Sequence, residues 1–246
     1  LGGQSMGWFP LSLSTMATQL SAISFISAPA FVGLKEGGGL QWLTYEFGVP
    51  LAMAFLLIAI IPTLYNSGIV SVYEYLEKRF DASSRLLISF VFQISRSVAT
   101  GVMVYTMALI LQATVGIDFW ISVLIIGIIT MIYSFQGGMK AVIWGDVIQM
   151  CILFFGIVVC LIYGISELGG FENFLTNVDK ERLTAVDFSK WGFNNADKND
   201  EFGFWPMVIG GFFLYASYYG TDQTQSQRLL SAKGMPTIKK LLLANG

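Results

Sequence analysis

The sequence predicts an all-α fold, a polytopic bundle of transmembrane helices, from three observations. Of 246 residues, 54% are hydrophobic and only 12% charged, whereas an average soluble domain is about a quarter charged. The apolar residues are gathered into runs long enough to cross roughly 30 Å of hydrocarbon, which takes about 20 helical residues each. The links between the runs are mostly short and hold most of the charge, as expected of helices that turn around at a bilayer surface.

Six spans can be laid out, at about 8–33, 42–64, 86–115, 119–135, 139–165 and 203–219. The first is apolar but interrupted by Ser14, Thr15, Thr18, Gln19, Ser21, Ser24 and Ser27, and Pro29 follows them. The second carries one carboxylate, Glu46, and the third one base, Arg96. The fourth is short, so it lies nearly upright or borrows residues from its flanks. The fifth opens on "GGMKAVIWGDVIQ", with Asp146 about two turns inside. Cys151 and Cys160 in the same run read as small buried thiols. Between the fifth and sixth spans, 166–202 holds eight acids and four bases and reads as one large solvent-exposed loop with a short helix near 171–182. The sixth span runs through Gly210, Gly211 and the set Tyr215, Tyr218 and Tyr219 into the polar "GTDQTQSQR". The chain opens "LGGQSMGWFP" and stops at "KKLLLANG", where another apolar run begins, and so reads as an internal stretch of a longer protein.

Lys and Arg give the orientation, since cytoplasmic links collect them. One side holds Lys78, Arg79, Arg85, Lys140, Arg228, Lys233, Lys239 and Lys240. The other holds Lys35, Lys180, Arg182, Lys190 and Lys198, four of them in the acidic loop. The first side is therefore placed in the cytoplasm and the 166–202 loop outside, in a multi-pass protein of the cell membrane whose surroundings are the lipid bilayer. A net charge of −2 without a basic cluster argues against a nucleic-acid partner. The absence of His removes the usual proton shuttle and metal ligand. Oligomeric state is not legible.

The polar residues of the first span have two readings. Ser and Thr commonly bond back to carbonyls one turn earlier in membrane helices. Seven polar residues followed by Pro29 instead suggest a helix loosened near the proline, exposing carbonyl oxygens that suit a hard monovalent cation such as sodium. The hydroxyls and the Gln19 amide would then suit a polar solute. The tyrosines of the sixth span read either as an interfacial aromatic belt or as the wall of a solute site. Glu46, Arg96 and Asp146 are isolated ionisable groups inside spans, which default to a functional hypothesis. Glu46 also fits an interfacial carboxylate, and Arg96 a snorkelling base or the partner of an acid. The two interrupted spans lie five apart, the pointer to a transporter built from inverted repeats.

Four stretches together resemble the sodium/solute symporter family: "GWFPLSLSTMATQLSAISFISAPA" (7–30), "YNSGIVSVYEYLEKRFD" (65–81), "YSFQGGMKAVIWGDVIQ" (133–149) and "YYGTDQTQSQRLLSAK" (218–233). The resemblance implies the leucine-transporter fold, of which this chain would hold the first inverted repeat and the first helix of the second. It implies sodium as the coupled ion, with the carbonyls of Ala17 and Leu20 forming half of its site and Asp146 on its path. The other half would be Ser or Thr hydroxyls on the fold's eighth helix. It implies a solute held by Gln19, Ser21 and Ser24 of the first span, Tyr45 and Glu46 of the second, Arg96 of the third and Tyr218 of the sixth. Tyr218 matches an aromatic gate, and Tyr45–Glu46 resembles a pair that contacts sugar in some members. Gln19, Ile23 and Ser24 stand where sugar-carrying members have Asn, Glu and Gln, so the sugar pattern is incomplete.

The expected function is a sodium-coupled symporter of a small polar organic solute working by alternating access, not an enzyme. Sugar, sialic acid, amino acid, vitamin and monocarboxylate all remain open as the solute. Two other classes stay beside it. One is the membrane input domain of a signalling protein. The other is an intramembrane aspartyl protease using Asp146 and Asp222, whose surroundings lack a Gly-x-Gly-Asp pattern.

Overall fold

The computed structural model describes residues 5–69, 71–188, 190–192 and 203–246, without the side chains at 22, 133, 134, 136 and 137. Among the described residues every regular element is helical, joined by one isolated parallel bridge between Met6 and Ala232. Part of the acidic loop, 193–202, lies outside the described residues.

The first apolar run forms two helices, α1 (Trp8–Gln19) and α2 (Ala22–Gly33), bent by 62° from one another. Leu20 and Ser21 between them are extended, with φ/ψ of −84°/132° and −127°/165°. The sequence points to a loosening near Pro29, but that residue sits inside α2 and the break comes earlier. Its cause is local. The Ser21 hydroxyl accepts the Ser24 N–H at 3.2 Å and so caps a new helix, an alternative to continuing the old one.

A 3-10 segment, Leu40–Phe47, leads into α3 (Gly48–Phe55), a widened π turn over Leu56–Ile60, and α4 (Ile61–Asn66). Two short polar caps then set the next links. Ser71 caps α5 (Val72–Arg79), and Asp81 caps α6 (Ala82–Val115) by accepting the Ser84 N–H at 2.7 Å. Hydrogen bonding to Ser84 holds the Asp81 carboxyl below its ordinary pKa. Gly116, at φ 77°, ends α6 in the left-handed conformation that glycine takes without penalty. Next, α7 (Phe119–Glu167) is kinked at Gly138, φ 54° and ψ −163°. The kink falls between the fourth and fifth spans expected from the sequence. The acidic loop contributes α8 (Phe171–Asn177) and a 3-10 turn at Lys180–Leu183. Its Arg182 donates to the Val32 and Lys35 carbonyls, satisfying the open end of α2.

The sixth apolar run is also broken. Helix α9 (Phe204–Thr221) stops at Asp222, which is extended at φ −69° and ψ 126°. The Asp222 carboxylate then accepts the Thr224 N–H at 2.8 Å and starts α10 (Gln223–Leu230), and α11 (Met235–Asn245) follows. The two breaks meet, and α10 beyond the second runs antiparallel to α1. Tyr218 and Tyr219 near the end of α9 meet Thr18 and Gln19 at the end of α1, and along α10 the partner's number falls as its own rises, Gln225 meeting Thr15 and Arg228 meeting Ser14.

Among the described residues three stretches are long and apolar enough to cross a membrane: Leu40–Asn66, Ala82–Val115 and Gly138–Glu167. The bent pair α1–α2 makes a fourth if it counts as one span. Of the most apolar window, 39% is buried in Leu40–Asn66 but only 6% in each of the other two. The core is therefore built between α1, α3 and α9–α11, around Leu11, Met53, Leu56, Tyr219, Leu229 and Leu241, while α6 and α7 turn large apolar side chains outward.

Candidate functional site at the first helix break

The break at Leu20–Ser21 creates the site because a helix end leaves carbonyls without partners. Met16 accepts the Leu20 N–H at 3.1 Å, and Thr18 accepts the Tyr218 hydroxyl at 3.2 Å. Ala17 and Leu20 lie beside these, and both line a cavity of about 560 Å3 together with Ser21 and the α7 residues Gln149, Met150 and Leu153. Ser21 thus faces this cavity while its hydroxyl caps α2 and lies 3.2 Å from that of Ser24.

On the other side of the break, Gln19, Ser24, Ser27, Tyr45 and Glu46 line a second cavity of about 440 Å3, walled by Phe31 and Trp42. A third, of about 180 Å3, brings Gln19 and Glu46 against Tyr215 and Tyr219. Gln19, Leu20 and Glu46 line both, so they form the partition between the two spaces.

Glycine sets this geometry. A Cβ at Gly211 would collide with the Tyr45 carbonyl, and one at Gly48 with the backbone of Phe212. The 3-10 segment can therefore press directly on α9. That approach stacks the Tyr45 ring on Tyr215, 6.0 Å between centroids and 5° from parallel. A chain of directed hydrogen bonds follows. The Tyr219 hydroxyl donates to Gln19 Oε1 at 2.8 Å, Gln19 Nε2 donates to the Tyr215 hydroxyl at 3.0 Å, and Tyr215 donates to Glu46 Oε2 at 2.8 Å. Every link points toward Glu46, as a chain ending on an acceptor-only carboxylate must.

Three residues expected at the site, Arg96, Asp146 and Tyr218, do not line these three cavities. Arg96 on α6 forms an ion pair with Asp222 and reaches the Thr224 hydroxyl at 3.4 Å, so its charge is taken up at the second break. Asp146 on α7 accepts from Arg228 Nη2 at 2.8 Å and from the Ser14 hydroxyl at 2.6 Å. Tyr218 bonds to the end of α1 and packs edge-on to Tyr219, 5.7 Å between centroids, while Tyr215 and Tyr219 line the cavity. Sequence reasoning missed Arg228, which it counted as a cytoplasmic base, and the pairing of Asp222. A signal existed. Two lone bases and two lone acids in or beside apolar runs invite mutual neutralisation, but which acid meets which base depends on the packing.

Two broken helices that meet at their breaks, with a polar cavity where one of them opens, define a leucine-transporter-like fold, here in part. The chain belongs to the sodium:solute symporter family, whose model matches residues 1–244. It is 34% identical over 245 residues to the human sodium/iodide cotransporter, covering 99% of this chain and 37% of that protein. It is 33% identical over 246 residues to the mouse sodium-coupled monocarboxylate transporter 2, covering all of this chain and 38% of that protein. Among solved structures, a sodium-coupled sialic acid symporter in a substrate-bound outward-open state superposes with a TM-score of 0.85 at 26% identity, over 99% of this chain and 50% of the other. The chain thus spans well under half the length of the curated relatives it matches.

Proposed function

We propose that the whole protein of which this chain forms part is a sodium-coupled symporter of a small polar organic solute. It would cross the lipid bilayer of the cell membrane through the six spans read from the sequence. The observation that carries the proposal is the first break, where Ala17, Leu20 and Ser21 line one cavity and Gln19, Ser24, Tyr45 and Glu46 line another beside it. Sodium would use the Ala17 and Leu20 carbonyls, since a hard cation prefers oxygen ligands. Its remaining ligands would come from outside this chain. Holding the break in one geometry would favour the conformation that admits solute, so that the two affinities are coupled.

The solute would occupy the space between Gln19, Ser24, Tyr45 and Glu46, stacked against Trp42 or Tyr45. The two named cotransporter relatives carry iodide and monocarboxylates, and the structural neighbour carries sialic acid. Here a carboxylate, Glu46, faces the cavity, and no Lys or Arg lines it among the described residues. That lining favours a neutral solute rich in hydroxyl or amide groups over a free acid.

The test is uptake by the full-length protein in proteoliposomes under an inward sodium gradient, screened across sugars, sialic acid, amino acids, vitamins, monocarboxylates and iodide. Accumulation of one neutral solute that collapses when sodium is replaced by potassium is expected. Accumulation of none of these under a sodium gradient would defeat the symporter reading.

A further inference from the structure

Arg228 is the most completely engaged charge among the described residues. Only 7% exposed, it spreads its guanidinium over three helices: Nη2 to Asp146 on α7, Nε to Ser14 on α1 at 2.8 Å, and Nη1 to the Thr224 carbonyl of its own α10 at 2.8 Å. Ser14 closes the ring by donating to the same Asp146 oxygen. A second ion pair, Arg96 with Asp222, fixes the start of α10 to α6. A helix of two turns is thus held at its start and in its last turn by charges, while α9 beyond the break is held to α1 by neutral tyrosine hydroxyls.

We propose that Arg228 is a positioning residue of the transport cycle, a clasp that closes one side of the pathway by holding α10 against α1 and α7 through Asp146. By the distribution of Lys and Arg this side is the cytoplasmic one. The proposal rests on the symporter reading for its cycle, but its geometry does not depend on which solute is carried.

Two physical points make the contact a clasp rather than a permanent rivet. The attraction between two charges falls steeply with the dielectric around them, so the pair is strong while the interface is dry and weak once water enters. Closing and drying therefore reinforce each other, which produces two discrete states. The interface is also not saturated. Thr15 Oγ1 and Gln225 Oε1, both on residues with no exposure, have no hydrogen-bond partner among the described residues. Buried polar groups left unpaired oppose the closed state and are relieved by water when α10 moves away. Asp146 is neutralised while the clasp is shut, so a sodium ion could use that carboxylate only after Arg228 has released it.

The experiment uses the full-length protein in oriented membranes, with native cysteines, including Cys151 and Cys160, replaced by serine. Met150, 1% exposed and lining the cavity beside Ala17 and Leu20, is changed to cysteine as the reporter. A membrane-impermeant thiol reagent is applied to one face at a time. Arg228→Met is expected to raise the rate of modification from the cytoplasmic face about tenfold and leave the rate from the outer face unchanged. Arg228→Lys, which keeps a charge but not the three-way fork, should fall between. Asp146→Arg combined with Arg228→Asp should return the rate most of the way to that of the parent, which a general loosening of the fold would not do. An unchanged cytoplasmic rate in Arg228→Met, an equal rise from both faces, or no recovery in the exchanged pair would each overturn the clasp. Because the readout is accessibility, a failed clasp leaves sodium-driven uptake intact as a separate result, and a failed uptake assay leaves the accessibility result standing.

Discussion

The two helix breaks look alike in outline and differ in what occupies their polar groups. At Leu20–Ser21 the side chains lining the two cavities are neutral except for Glu46, and they include Gln19, Ser24 and three tyrosines, Tyr45, Tyr215 and Tyr219. At Asp222 the carboxylate is consumed within the protein: it caps α10 and pairs with Arg96. The contrast teaches that a broken helix by itself is not a binding site. The first break is left with groups that a ligand can use, whereas the second has spent its groups on holding neighbouring helices together, which suits a hinge.

The largest expected effect tests the hinge. Asp222→Ala removes both the cap of α10 and the partner of Arg96, whose side chain keeps 31% of its exposure. A fully buried broken pair costs about 3–5 kcal/mol, and solvent access reduces this to about 2 kcal/mol here. Thermal unfolding of the detergent-solubilised full protein should show the loss, and Arg96→Met placed in the same protein should recover part of it. If Asp222→Ala instead weakens solute binding with no loss of stability, the second break is a binding site and the contrast fails.

Next comes the first break. Glu46→Gln removes the charged terminus of the chain that runs through Tyr215, a bond type worth about 1.5–3 kcal/mol. Half-saturating solute should rise about tenfold, or about 1.4 kcal/mol, with the sodium dependence of uptake unchanged. Improved uptake of an acid in this variant would show that the carboxylate excludes anions, sharpening the reading of the cavity.

A smaller effect is expected at Ser21, which makes the first break by capping α2. Ser21→Ala should cost about 1 kcal/mol of stability and Ser21→Gly a few tenths, as for other helix caps. The smallest lies at Tyr218, which bonds one carbonyl at the end of α1. Tyr218→Phe should change solute affinity by no more than about twofold, because its hydroxyl bonds the Thr18 carbonyl and the residue lines neither solute cavity. Tyr215→Phe, which breaks the chain between Gln19 and Glu46, should weaken solute several-fold in the same uptake assay. A larger loss at Tyr218 than at Tyr215 would restore Tyr218 as the lid expected from the sequence.

The sequence alone determined that this is a bundle of apolar helices with two interrupted members, because hydrophobic runs, polar interruptions and capping residues act locally. Ser21 and Asp222 end one helix and start another through local bonds, yet the sequence pointed to Pro29 for the first loosening and did not single out either residue as a cap. The family resemblance placed Gln19, Ser21, Ser24, Tyr45, Glu46, Arg96 and Tyr218 about a solute; Gln19, Ser24, Tyr45 and Glu46 line one cavity, and the other three do not line it. Only tertiary structure decided which charge meets which. Arg96 is 126 positions from Asp222 and Asp146 is 82 from Arg228, and no local pattern encodes a partner at such a distance. Packing decided it: glycines at 48 and 211 let α9 close on the 3-10 segment, and the antiparallel run of α10 beside α1 then fixed which side chains meet. Composition could say that lone buried charges need partners, but the direction in which each helix turns its face is a property of the assembled bundle.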